Sequence, residues 1–281
     1  MTSTHTDGPL GGTRILDLTS VIMGPFATHI LADLGADVIK VESPEGDSLR
    51  HYEPLRNPGM TGNILNLHRN KRSIMLDLKR PDCRAALNRL IETADVFVHS
   101  LRPKAIERLG YGYGQVRATK PDIIYCGAYG FGAQGPYSDK PAYDDLIQAG
   151  SGVAALYGDV HGEPAYVPTV ICDKLAGQAI AYAILAALFQ RARGGGGQAI
   201  EVPMLETTIE FNLAEHMCGS AFFASARRTR LQTSAEQAAE ALSHPGRLCL
   251  HPALLRLELA GLLRFHRTGG IQARSTLPPF V

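Results

Sequence analysis

Asp173 stands at the start of the longest apolar helix that the sequence predicts, residues 173–193. From this position alone, the carboxylate most simply caps the helix by accepting backbone N–H bonds. Its ordinary pKa of about 3.9 leaves it ionised at neutral pH, so it needs no general base to act as a nucleophile. The positive end of the helix would stabilise that charge. The two roles are compatible.

Two other groups of residues suggest binding chemistry that their context argues against. The glycine run 194–197 follows a predicted helix and precedes a strand, whereas phosphate-binding loops lead into a helix. We therefore predict a helix stop and a turn there. His29, His68 and His161 show no metal-ligand spacing, so we predict no metal site.

The cysteines favour a reducing, cytoplasmic setting. There are five of them, an odd number, and no pair has the C-x-x-C spacing, so neither a disulfide framework nor a structural zinc site is predicted. The first nine residues are polar and lack the apolar core of a secretory signal.

The elements that must position these residues alternate between strands and helices, which predicts an open, doubly wound α/β domain with a parallel sheet. The segments with strand-like composition are 13–18, 37–41, 73–78, 95–98, 122–126 and 198–202. Helical patterns occupy 24–34, 81–93, 104–109, 173–193 and 204–217. Residues 129–141 are rich in glycine and proline and are predicted to form a loop.

The bulk composition is that of a globular domain with a sizeable core. Hydrophobic residues make up 45% of the 281 residues and charged residues 20%. The net charge of +1 gives no reason to expect capture of nucleic acid or of an anionic membrane. The longest apolar run, 180–189, is too short to span a bilayer.

Six ordered segments resemble the family III CoA-transferases, which include formyl-CoA transferase, carnitine CoA-transferase and α-methylacyl-CoA racemase. The resemblance implies a Rossmann-like domain that binds coenzyme A, and it implies an interlocked homodimer. It also implies chemistry without a metal or organic cofactor, in which a CoA thioester is itself the substrate and a carboxylic acid is the acceptor. The matching segments are 15–42, 70–81, 94–103, 107–113, 130–152 and 172–206.

In the transferases that this chain resembles, an aspartate at the position of Asp173 attacks the acyl-CoA thioester. The resemblance thus implies a mixed anhydride, then an aspartyl-CoA thioester, and finally transfer of CoA to the acceptor carboxylate. Tyr143 stands at the position where the racemases carry a catalytic histidine. Formyl-CoA transferase resembles this chain in having a tyrosine there, and this favours transfer. A racemase-like enzyme and an inactive CoA-binding fragment are the alternatives.

The resemblance also implies CoA contacts. Ile22 and Met23 match the loop beside the adenine and ribose end of CoA. Lys79 and Arg108 are the candidate phosphate contacts, because each can neutralise anionic oxygen. Taken singly, either is more simply a solvated surface charge.

Two positions depart from the family pattern. Ser43 stands where many members have a phosphate-binding arginine, and it supplies no charge. His99, Ser100 and Leu101 replace the common Glu-Asn-Phe in one wall of the pocket.

The sequence predicts three regions: a flexible N-terminus, 1–12; a CoA-binding domain, 13–224; and an aberrant tail, 225–281. The tail is rich in Arg and Leu, and it does not resemble the small domain or the return segment of the family. We expect it to be translated out of frame, with a natural truncation as the alternative. Without the return segment, the interlocked homodimer cannot form as it does in the family.

Overall fold

The structure, a computed structural model, describes residues 8–216, apart from the side chains of 159–161. The first seven residues of the predicted flexible N-terminus lie outside the described residues. The predicted tail, 225–281, and the domain boundary at 224 lie outside them as well.

Strands and helices alternate through most of the described chain. In chain order, the elements are β1 (Arg14–Leu18), α1 (Met23–Asp33), β2 (Asp37–Glu42), β3 (Leu55–Asn57), β4 (Met60–Thr61), α2 (Gly62–Leu67), β5 (Lys71–Met75), α3 (Pro81–Glu92), β6 (Val96–His99), α4 (Pro103–Leu109), α5 (Tyr113–Thr119), β7 (Ile124–Tyr129), α6 (Asp144–Gly150), α7 (Val153–His161), α8 (Ile171–Gln190), β8 (Gln198–Pro203) and α9 (Met204–His216). A short 3₁₀ helix, Ser48–His51, precedes β3, and a π-helical turn, Arg191–Gly195, follows α8.

Six strands form one parallel sheet in the order β5-β2-β1-β6-β7-β8, and β3 and β4 form a separate hairpin. The prediction of an open, doubly wound α/β domain is therefore confirmed. Strand order reverses between β1 and β6, where Leu16 pairs with Phe97. In such sheets, ligands bind beyond the carboxyl ends of the strands at this switch point. The fold thus directs attention to the residues that follow β1 and β6.

Each face of the sheet packs against its own hydrophobic cluster. One cluster joins the sheet to α1 and α8 through fully buried side chains such as Leu31 and Ile180. The other cluster includes Phe97, Leu87 and Val116 and joins the sheet to α3 and α5. Both helical layers are thereby fixed on the sheet, and the loops at the carboxyl edge are carried on a packed frame.

Helix α8 is the longest element of the described chain. With the turn after it, the segment Ile171–Gly195 has 25 residues and a mean hydropathy of 1.4, so its length and composition fit a membrane span. Half of the apolar window is nevertheless buried inside the fold, against α1, α6 and α9. A buried core helix passes the same test of length and hydropathy, and this one is longer than the apolar run 180–189 suggested.

Several element limits differ from the predicted ones. The strand predicted at 73–78 lies at Lys71–Met75, and helix α8 begins at Ile171 rather than at Asp173. The predicted stops are confirmed, since Gly35 and Gly194 adopt φ values of 97° and 89° directly after α1 and within the turn after α8.

Candidate functional site

Asp173 is the third residue of α8, inside its first turn, and it is not the cap. The interpretation of this side chain as an N-cap is therefore wrong. The capping acceptor comes from another helix, since the Asp173 backbone N–H donates a 2.9 Å hydrogen bond to Oδ1 of Asp144 on α6. This exchange leaves the Asp173 carboxylate free of a capping role while it stays at the positive end of α8.

The start of α1 is brought against the same turn of α8 by a close helix contact. Gly177 faces Met23, and a Cβ built at Gly177 would lie 2.8 Å from the Met23 carbonyl oxygen and 2.9 Å from the Phe26 ring. Glycine thus allows the two backbones to approach. The Met23 backbone N–H, at the first position of α1, interacts with the Asp173 carboxylate and stabilises its ionised form.

The environment of Asp173 makes its carboxylate more basic than an exposed one. Its residue is 9% exposed. Burial and, to a smaller extent, the nearby Asp144 carboxylate together raise the pKa of Asp173 to about 6, although the Met23 N–H opposes the shift. The ordinary value assumed from the sequence is thus too low, although Asp173 is still mainly ionised at pH 7.

Asp144 is itself held in place by a buried amide. Nε2 of Gln148 donates to Asp144 Oδ2 at 2.6 Å, and Oε1 of Gln148 accepts the Val167 N–H at 2.8 Å. Gln148 thereby ties α6 to the loop that leads into α8. Tyr143 precedes Asp144 and is 67% exposed, so the structure places its ring at the surface beside the site rather than in the core.

The loop between β1 and α1 meets the end of β6 at the switch point. The backbone N–H of Ser20 donates to Oγ of Ser100 at 3.1 Å. Ile22 is partly buried and directly precedes α1, and Leu101 packs against the cluster under α3 and α5. The structure thus brings the loop that leads to Ile22 and Met23 next to Ser100, whereas Met23 and Leu101 pack in the clusters on opposite faces of the sheet.

Ser43 and Lys79 lie together beyond the ends of β2 and β5. The Ser43 hydroxyl bonds to the Glu45 carboxylate, and this bond lowers the pKa of Glu45, with a smaller contribution from the nearby Lys79. All three residues are exposed. Lys79 is therefore an exposed cation near Ser43.

Arg108 lines an open cavity at the start of α4. The cavity has a volume of about 660 Å³ and is also lined by Arg102 and Lys104. Both of these cations are tied to Asp139 of the 130–143 loop, Arg102 through the Asp139 carbonyl at 2.8 Å and Lys104 through its carboxylate. The carboxylates of Glu107 and Asp139 also line the cavity, so its three cations exceed its anions by one.

The candidate residues therefore fall into four groups: Asp173 with Met23, Ile22 with Ser100 and Leu101, Ser43 with Lys79, and the cavity with Arg108. Sequence reasoning missed Asp144, Gln148 and Arg102. The adjacent carboxylates of Asp144 and Asp145 were the available signal for the first of these. Among residues 8–216, no group of three His, Cys, Asp or Glu side chains is arranged to hold a metal ion.

A family model decides the family to which this fold belongs. The model for CoA-transferase family III matches residues 10–241. The chain belongs to CoA-transferase family III. Among the solved structures similar to this family III chain is a CAIB/BAIF family protein from Brucella suis, with a TM-score of 0.73 and 33% identity over 79% of this chain and 59% of that one.

Characterised members of family III are similar over the same region. Succinate–glutarate CoA-transferase of Agrobacterium fabrum is 38% identical over 205 residues, covering 70% of this chain and 51% of the relative. Acetyl-CoA:oxalate CoA-transferase of Acetobacter aceti is 39% identical over 217 residues, covering 76% and 55%. The chain spans about half the length of the curated relatives it matches.

Proposed function

We propose that this family III chain carries the CoA-binding and nucleophile-bearing part of an acyl-CoA:carboxylate CoA-transferase. The observation that supports this function is the buried Asp173 carboxylate, set at a helix start between the Met23 N–H and the Asp144 carboxylate. The relatives that transfer CoA between dicarboxylates or from acetyl-CoA to oxalate support the reaction class.

In the proposed reaction, a carboxylate oxygen of Asp173 attacks the thioester carbonyl of the donor acyl-CoA. The C–S bond breaks, CoA leaves as a thiolate, and a mixed anhydride links Asp173 to the acyl group. The thiolate then attacks the Asp173 carbonyl and releases the donor acid, so that an aspartyl-CoA thioester remains. The acceptor carboxylate reverses these two steps, and no net proton is taken up or released.

The raised pKa of Asp173 suits both halves of this cycle. A carboxylate with a pKa of about 6 is more basic than an exposed aspartate, and it is therefore a better nucleophile towards a thioester. Because it remains mostly ionised at pH 7, no base has to remove a proton first. The Met23 N–H also lies where it can donate to oxygen that develops charge on the acylated Asp173.

The cations at the carboxyl edge are the proposed contacts for the anionic groups of CoA. CoA carries a diphosphate and a 3′-phosphate, and we assign these anions to the cavity of Arg102, Lys104 and Arg108. The loop residues Ile22 and Met23 would lie against the remainder of the CoA molecule. Tyr143 has no basic imidazole nitrogen, so it cannot act as the histidine of the racemases does, and this favours transfer.

The covalent step is tested by trapping. The full 281-residue chain is incubated with an acyl-CoA and hydroxylamine, and the peptide that contains Asp173 is analysed by mass spectrometry. We expect conversion of Asp173 to a hydroxamate, and loss of this product in Asp173→Asn. Asp145→Asn is the matched control, because Asp145 is exposed one position after Asp144, and it should leave trapping intact.

Circular dichroism and CoA binding are measured on the same samples. If the chain is folded and binds CoA but Asp173 stays unmodified, the covalent mechanism is wrong and the chain is a CoA-binding fragment. Exchange of the α-proton of a branched acyl-CoA for deuterium would instead favour racemase-like chemistry.

A further inference from the structure

Val21 adopts a backbone conformation that β-branched residues rarely take. Its φ is +67°, and within residues 8–216 Asn70 is the other residue besides glycine with a positive φ. Valine in this region is strained, and such strain persists where the surroundings impose it. Val21 lies in the turn between β1 and α1, two residues before Met23, so the strain is located next to the proposed nucleophile.

Three consecutive backbone N–H groups of this turn are captured by side chains from three different segments. Thr19 N–H donates to Asp17 Oδ1 at 2.9 Å, and Ser20 N–H donates to Ser100 Oγ at 3.1 Å. Val21 N–H is shared between the two carboxylate oxygens of Asp47, each at 3.3 Å. The turn is thus held residue by residue.

Asp47, which accepts the Val21 N–H, is one member of a buried ion pair. The side chains of Asp47 and Lys40 are 0% and 3% exposed, and Lys40 Nζ lies 3.0 Å from Asp47 Oδ2. Lys40 also donates to the carbonyl oxygen of Thr19, so both members of the pair bond the same turn. The groups that face this pair from neighbouring elements are Asp17, Glu42, Arg50, His68 and Lys71.

We infer that Asp47 and Lys40 are positioning residues, which hold the strained turn at Val21 so that the Met23 N–H is presented to Asp173. The inference rests on the proposed role of Asp173 as the nucleophile. Asp47 accepts a hydrogen bond from the N–H of Val21, and Lys40 donates one to the carbonyl oxygen of Thr19. Helix α1 begins at Met23, immediately after this turn. Without these two hydrogen bonds, Val21 would relax to a negative φ and the Met23 N–H would turn away from Asp173.

A double-mutant cycle tests whether Asp47 holds the strained turn at Val21, because glycine accepts a positive φ without strain. In the full chain, Asp47→Asn should lower Tm, and it should lower Tm by about half as much in the Val21→Gly background. Asp95→Asn is the matched control: it removes a part-buried carboxylate that bonds Arg191 and the Arg14 N–H, at the opposite end of β6 from the turn. Its loss of Tm should be the same in both backgrounds.

The effect of Asp47→Asn on the pKa of Asp173 is measured by the pH titration of the Asp173 ¹³Cγ signal. This signal is assigned by its absence in Asp173→Asn. Loss of one charge-assisted N–H bond should raise the Asp173 pKa by about one unit in Asp47→Asn. Val21→Gly should reverse part of this shift in the double variant, and Asp95→Asn should leave the Asp173 titration as in the wild type.

Equal Tm losses for Asp47→Asn in both backgrounds would overturn the anchoring role. A wild-type Asp173 titration in a folded Asp47→Asn variant would overturn the positioning role. Both measurements are made without acyl-CoA, so they keep their meaning even if hydroxylamine trapping shows that Asp173 forms no covalent intermediate.

Discussion

The backbone N–H of Asp173 donates a 2.9 Å hydrogen bond to the carboxylate of Asp144, which lies 29 residues earlier in the chain. The contact has two opposed effects. It satisfies an N–H of the first turn of α8, which fixes the backbone of Asp173, and it places a second carboxylate close enough to raise the pKa of Asp173. The Asp144 side chain therefore both positions the proposed nucleophile and makes it more basic.

Asp144→Asn should separate these two effects. The amide oxygen can keep the hydrogen bond to the Asp173 N–H while the bond from Gln148 Nε2 is lost. The neighbouring negative charge is gone, so the ionised form of Asp173 is favoured and its pKa falls. We expect a decrease of about half a unit to one unit from the wild-type value. The pH dependence of hydroxylamine trapping between pH 4 and 8 measures it. Asp145→Asn, at an exposed position, should shift the profile less, and equal shifts would contradict the assignment to Asp144.

Asp173→Asn should stabilise the protein at neutral pH. The folded-state pKa of Asp173 is raised to about 6, so ionisation opposes folding. This cost is absent below the ordinary pKa of about 4, grows as the pH rises towards 6, and is fully present at pH 7. We expect a gain of about 2 kcal/mol in the free energy of unfolding at pH 7, and almost none at pH 4. Urea denaturation at the two pH values measures this difference, and a gain independent of pH would contradict it.

Gly177→Ala should destabilise the contact between α1 and α8, although alanine normally favours a helix. The added methyl group would meet the Met23 carbonyl oxygen and the Phe26 ring at under 3 Å. We expect a loss of about 1–3 kcal/mol. Gly114→Ala, in helix α5 with open space at its Cβ, is the control and should gain about 0.5–1 kcal/mol. Thermal unfolding of both variants tests the prediction, and a stabilised Gly177→Ala would refute it.

Lys71→Met should be among the costly substitutions, because it leaves a buried carboxylate unpaired. Lys71 Nζ lies 3.2 Å from Asp17 Oδ2, and the two side chains are 1% and 0% exposed. Despite burial, which acts to raise it, the pKa of Asp17 is held well below its usual range by Lys71 and Lys40. We expect a loss of about 3–5 kcal/mol at pH 7.

The loss caused by Lys71→Met should shrink as the pH falls below about 4. A group with a depressed pKa contributes stability above its unfolded-state value and loses it in acid. Arg80→Ala is the control, since its ion pair with Asp82 is about two-thirds exposed and should contribute little to stability. Equal losses for the two variants would contradict this account.

The alternation of elements was predictable because it depends on local pattern. Apolar runs such as 37–41 are bounded by glycine or polar residues, and their strand character follows from that alone. The limits of β5 were predicted less well, because it is an edge strand whose residues, among them Arg72 and Met75, are mostly exposed. Exposed edge positions carry little hydrophobic periodicity.

The site was predictable only in part, for a different physical reason. Asp173 stood out through its helix and its family motif, but its raised pKa depends on burial and on Asp144, and both come from packing such as that of α6 on α8. The strain at Val21 likewise leaves no mark in the sequence, since valine before Ile22 suggests ordinary extended backbone. Pairings between distant segments decide both features.

The close approach of α1 and α8 at Gly177 also sets when the site can form. Met23 and Asp173 lie 150 positions apart, so synthesis must pass the first turns of α8 before the two can meet. Contacts of such long sequence separation are slow to form, and N-terminal segments emerge first. The strands β1, β2 and β5 can therefore pair on the ribosome well before the proposed nucleophile is in place, which makes assembly of the surroundings of Asp173 a late event of folding.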